Sequence, residues 1–208
     1  HTENTEELIA LGLDEESDDF AYSVSYQHGS FGSPWSFNIG HQVIGDEFRA
    51  DTGFIHQADI QSTSLNVNYN RPGQPGAFIE RVGLGCGYFE NEVHSSGDNL
   101  SRNAGLFFGL NLPRLTFVNM NYNRIDRRFA GEDFDLWQTA FGIGSRAFDG
   151  FNYFGNVFIG EGIDFANVRK GDSFGVSQGL NYNVSDHLSL QTNYNYNMLE
   201  IEGEDLFK

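Results

Sequence analysis

The chain is poor in most of the features that would assign it a chemistry. A single cysteine, Cys86, excludes an intramolecular disulfide framework and any cysteine-rich zinc or haem motif. The expectation for it is a small buried apolar residue. Only four prolines occur, and no apolar run approaches the roughly 18 residues of a membrane-spanning helix. Positive charge is scarce: 12 basic residues against 29 acidic give a net charge of −17, with no basic stripe, so nucleic acid is excluded as an expected partner. No segment keeps a helical period. No signal peptide precedes His1, from which a processed chain or a fragment is expected.

Glycine (25 residues) and aromatics (15%) are plentiful. That combination, with a strict period of two, reads as all-β rather than disordered. Ten alternating segments are predicted, at 20–28, 35–44, one ending at Asn70, 78–90, 100–112, 114–125, 136–146, about 152–162, 174–184 and 188–198. The last is the plainest. Leu188, Leu190, Thr192, Tyr194, Tyr196 and Met198 alternate with Ser189, Gln191, Asn193, Asn195 and Asn197.

Read from the punctuation, the connections alternate short and long, with long ones near 45–53, 91–99, 126–134 and 163–173. Acidic residues follow that division. Eight lie in 1–19, eleven in the four long connections (counting Asp135 at the edge of the third) and four after Leu199, which leaves the apolar faces nearly free of charge. A charge facing lipid at mid-membrane costs about 2–4 kcal/mol. The pattern predicts an antiparallel up-and-down transmembrane β-barrel of about ten strands in residues 20–199. Segment 1–19 is expected to be an acidic extracellular or terminal segment, and 200–208 an acidic loop. Both ends fall on the long-loop side in this reading, so a piece of a larger barrel is expected.

In that barrel the amide face would line a polar lumen, with Asn66, Asn68, Asn119, Asn121, Asn181, Asn193 and Asn195 joined by Arg81 and Arg146. Tyr69, Tyr122, Tyr182 and Tyr196 would form interfacial girdles, ring bodies in hydrocarbon and hydroxyls among headgroups.

The acidic groups Asp14-Glu15-Glu16 with Asp18-Asp19, and Asp46-Glu47 with Asp51, match no EF-hand loop and read as solvated loops. The six histidines have no H-x-H or H-x-x-x-H spacing. Ser185-Asp186-His187 is too tight for a catalytic triad. Gly83-x-Gly85-x-Gly87 lies within a strand with no helix following, so it is no phosphate loop. The expectation is a non-enzyme without cofactor. Its expected setting is a bacterial outer membrane, and its partners lipid, lipopolysaccharide and other surface proteins. A secreted all-β module binding carbohydrate, with the aromatic faces as its core, is the alternative.

The stretch Ile44-Gly45-Asp46-Glu47-Phe48-Arg49-Ala50-Asp51-Thr52-Gly53-Phe54-Ile55 carries an F-x-x-x-x-G-F-[IV] pattern from Phe48 to Ile55. It resembles an uncharacterised bacterial outer-membrane family in which a family 9-like carbohydrate-binding module precedes a long C-terminal β-barrel region. The Leu188–Met198 strand and the acidic stretch from Glu200 to Asp205 resemble that region too. The resemblance implies a barrel. It carries no activity, and the carbohydrate-binding module is not in these residues.

Overall fold

A computed structural model describes residues 20–29, 33–46, 48, 58–185, 187–201 and 204–207. Eleven strands form one antiparallel sheet in chain order: β1 (Ala21–His28), β2 (Trp35–Ile44), β3 (Ile60–Pro72), β4 (Arg81–Val93), β5 (Asn99–Leu112), β6 (Thr116–Phe129), β7 (Glu132–Phe148), β8 (Phe151–Asp164), β9 (Arg169–Ser185), β10 (Leu188–Ile201) and β11 (Glu204–Phe207). Every strand pairs with its sequence neighbours, and among the described residues β1 and β11 each have one unpaired edge. Residues 1–19 and the Phe48–Ile55 motif beyond Phe48 lie outside the described residues.

Register follows from the alternation. Between β9 and β10, Tyr182 faces Leu190, Val176 faces Tyr196 and Phe174 faces Met198, while Asn181 faces Gln191, Gly179 faces Asn193 and Ser177 faces Asn195. A slip of one residue would exchange the two sets, so the pairing is strongly specified.

Two expectations need correction. The stretch after Leu199 is not an open loop: β10 continues to Ile201 and Glu204–Phe207 returns as β11. Three of the four connections read as long are short. They span 94–98, 130–131 and 165–168, whereas 73–80, read as short, is longer than any of them. The polar residues counted as loop extend the strands instead. At 130–131 both residues have positive φ, 52° at Ala130 and 85° at Gly131, the backbone of a two-residue hairpin turn. Arg128 then faces Asp133, and Phe129 faces Glu132. Cross-strand pairs of that kind stabilise a hairpin whatever its polarity.

Among the described residues the sheet has no second layer. Val24 is 63% exposed, Leu106 60% and Tyr194 58%, so no second sheet among the described residues packs on the apolar face. The buried apolar cluster sits at the 130/165 end, where Phe134, Leu136 and Ile163 pack with Ile125, Phe129 and Val168. It joins the β6–β7 hairpin to the β8–β9 hairpin. Cys86, expected to be buried, is exposed on the apolar face, with Val67 and Leu106 opposite it on the neighbouring strands. Its apolar surroundings are those expected, but among the described residues nothing covers that face of the sheet.

Candidate functional site on the amide face

The pairing sorts the chain into two faces. One carries Trp35, Val67, Leu84, Leu106, Met120, Phe141, Val157 and Val176 in linked registers. The other carries Asn66, Asn68, Asn119, Asn121, Asn181, Asn193 and Asn195. Arg81, opposite Asn111, and Arg146, two residues along β7 from Gly144, share the amide face near the 113–115 and 149–150 turns. Tyr69, Tyr122, Tyr182 and Tyr196 all lie on the apolar face. Tyr69 stands three residues before the end of β3 at Pro72, and Tyr196 five before the end of β10 at Ile201, on strands that run in opposite directions.

On the amide face large and small residues alternate between strands. Asn66, Asn68 and Asn70 of β3 face Gly87, Gly85 and Gly83 of β4, and Asn119 of β6 faces Gly142 of β7. Each amide leans over its glycine. A Cβ placed on Gly85 would lie 2.7 Å from Asn68 Oδ1, and one on Gly142 the same distance from Asn119 Oδ1. These glycines give the amides room to lie across the neighbouring strand, which is how asparagine, a poor strand former, is accommodated in rows here.

Alternation alone does not reveal a second set of residues on this face. Phe107, Phe117, Phe154 and Phe158 occupy amide-face positions, opposite Asn121, Gly144, Gly179 and Gly175 respectively. Their rings lie over glycines. A Cβ on Gly175 would meet Phe158 at 2.0 Å, one on Gly179 would meet Phe154 at 2.0 Å, and one on Gly109 would meet Phe107 at 2.8 Å. The signal for Phe107 was present in the sequence. Leu106-Phe107-Phe108 is an unbroken apolar run, so one of the three must face the other way.

Around Phe107 the wall forms a shallow depression of about 190 Å3. Gly85, Gly87 and Gly105 make its floor, and Asn66, Asn68, Asn121 and Asn123 stand at its rim. Among the described residues these four amide side chains make no hydrogen bond, so their donors and acceptors remain available to whatever enters. Among the described residues no charged side chain lines it.

Charge begins where the apolar face ends. Above Tyr88, Tyr122 and Trp137 the register brings Glu90, Arg102, Asp126 and Asp135 into one row. Arg102 Nε donates to Glu90 Oε1 at 2.8 Å, Arg124 Nε to Asp135 Oδ1 at 2.9 Å, and Lys170 Nζ to Glu161 Oε1 at 2.9 Å. Beyond the row, Asp164 at the end of β8 accepts from Asn167 Nδ2 at 2.7 Å and from Arg169 Nε at 3.0 Å. The Asn167 amide, with the Arg169 guanidinium, holds the Asp164 carboxyl below the usual carboxylate range. Among the described residues no group of three His, Cys, Asp or Glu side chains is placed to hold a metal ion.

No family model matches the sequence, and no curated protein matches it. A solved structure does match the fold. OccK10 (OpdN) of Pseudomonas aeruginosa, an outer-membrane porin barrel, superposes with a TM-score of 0.58 over 89% of this chain, at 13% identity. The fold is that of part of an up-and-down β-barrel, eleven antiparallel strands in chain order that among the described residues leave β1 and β11 each with an open edge. The chain spans about half, 55%, of the OccK10 chain, and at this identity the likeness concerns fold alone. The dimensions agree with a membrane. From Leu112 to Arg102 β5 advances ten residue steps, about 34 Å, or about 25 Å of thickness at a strand tilt near 40°.

Proposed function

We propose that the chain forms part of the wall of an outer-membrane pore or transporter, with the amide face turned to a water-filled lumen and the apolar face to lipid. The observation that carries this reading is the sorting of the two faces in a single-layer sheet. Leucine, valine, phenylalanine and tyrosine stay exposed on one side, and uncharged amides, serine and glycine dominate the other. Water gives no reason to leave so large an apolar surface uncovered. Hydrocarbon does, and it demands that every backbone group be paired within the protein. The free edges of β1 and β11 are therefore sites where further strands close the wall. On this reading Tyr69 and Tyr182 mark one interface and Tyr122 and Tyr196 the other. Lipid and lipopolysaccharide are the lateral partners. Membership in the uncharacterised family with a carbohydrate-binding module is part of the same proposal and rests on the Phe48–Ile55 pattern. No catalytic role is proposed.

The test is fractionation of the full-length protein followed by planar-bilayer recording. Retention in the outer membrane after alkaline carbonate washing, with discrete ohmic conductance steps, is the expected result. Release by the wash would reject the membrane reading, and retention without conductance would leave an anchor in place of a pore.

A further inference from the structure

We infer that the depression beside Phe107 is a binding site for a neutral carbohydrate, an inference that rests on the amide face lining a pore. The rim offers four amides, Asn66, Asn68, Asn121 and Asn123, each both donor and acceptor and each without a hydrogen bond among the described residues. At one side stands the Phe107 ring, 42% exposed although it faces the polar side of the wall. The glycine floor keeps the depression open, since a side chain at Gly85 or Gly105 would run into Asn68 or Asn123.

The chemistry selects among solutes. An ion entering here would shed water and find no opposite charge, so charged solutes are disfavoured. A purely apolar solute would cover four amides and leave them unpaired, which is also costly. A sugar ring satisfies both halves. Its hydroxyls are donors and acceptors for the amides, and the C–H bonds of one ring face lie against the negative face of a phenyl ring. Phe158 lies in the same hydrogen-bonded row as Phe107, across Asn121 and Ala140, so a second ring face is presented farther along the wall. A linear oligosaccharide is thus a better match than a monosaccharide.

The experiment uses the full-length protein, purified in a detergent without a sugar headgroup and reconstituted in planar bilayers, with maltohexaose as the probe. Reversible current block by maltohexaose is expected, together with binding heat in calorimetry. Phe107→Ala should weaken binding about tenfold while the open channel still conducts. Phe107→Tyr, which keeps the ring, should stay close to the parent. A conducting channel that gives neither block nor heat with millimolar maltohexaose overturns the sugar site and leaves the pore standing. Equal or tighter block by an oligogalacturonate of the same length overturns the neutral-solute assignment. Binding heat without any conductance supports the site and rejects the pore.

Discussion

At the scale of single residues, glycine decides what the wall looks like. Where the atom in the way is the end of an asparagine or a phenyl ring, the neighbour can swing aside. At Gly160 it cannot. A Cβ there would lie 2.2 Å from the backbone oxygen of Trp137, and φ is +155°. Gly160 is also the last residue of β8 paired with β7, and just beyond it the Glu161 carboxylate accepts from the Trp137 amide at 3.2 Å. Gly160→Ala is expected to destabilise the folded protein by more than about 2 kcal/mol. Gly76→Ala, where φ is +79° but nothing lies within 4 Å, should cost only about 1 kcal/mol. Urea titration of both variants refolded in lipid vesicles measures the difference. Equal midpoints would show that backbone contact at Gly160 is not the cause.

At the scale of elements, the hairpins beyond the charged row carry a buried apolar cluster of their own. The β6–β7 and β8–β9 tips share the Phe134, Leu136 and Ile163 cluster, and Phe129 meets Phe165 edge-on with ring centroids 5.0 Å apart. The 165–168 turn is fastened by Asp164, whose side chain binds Asn167 and Arg169. Its carboxyl is held lower in the folded state than in the unfolded chain, so the stabilisation is fully present above the unfolded value, about 3.9. It is lost as pH falls through the lower, folded value. Amide-exchange protection of residues 165–169 should therefore hold at pH 5 and fall only below about pH 3.9. Asp164→Asn should remove most of that pH dependence. Protection that declines already between pH 7 and pH 5 would assign the turn's stability to another group.

At the scale of the whole molecule, the two faces make opposite demands on the same substitution. Leu106→Lys places a charge in the middle of the apolar face, between Cys86 and Tyr122. It is expected to cost about 2–4 kcal/mol and to prevent accumulation of the heat-modifiable folded form. Asn121→Lys, one strand away on the other face, should fold normally and, if the proposed pore conducts, shift its reversal potential towards anions. Gel migration of unboiled samples reads the first outcome and bilayer recording under a salt gradient the second. If both lysines were tolerated alike, the apolar face would not meet lipid.

The sequence by itself determined the all-β class, the faces and nearly all the strands, because a period of two is a local property written in consecutive residues. Even β8, where alternation is weak, spans Phe151–Asp164 close to its expected place. It determined which asparagines share a face, since parity survives any correct register. It did not determine where strands end. Arg128 and Asp133 read as loop, yet they pair across a two-residue turn, and only their partners make them strand. Nor did it reveal the depression. Asn68 and Gly85 lie on one strand and its neighbour, and Phe107 and Asn121 on the next two, so the site exists only once four strands stand side by side in register. Row alignment is the other tertiary decision. Tyr69 and Tyr196 fall in the same hydrogen-bonded row, joined through Leu84, Phe108, Met120, Phe141, Val157 and Val176. That row runs through eight strands, and at about 4.8 Å per spacing it carries the apolar face about 34 Å across the sheet. Residues far apart in the chain are thereby set level, because backbone pairing fixes register strand by strand, a relation that no reading of consecutive residues contains.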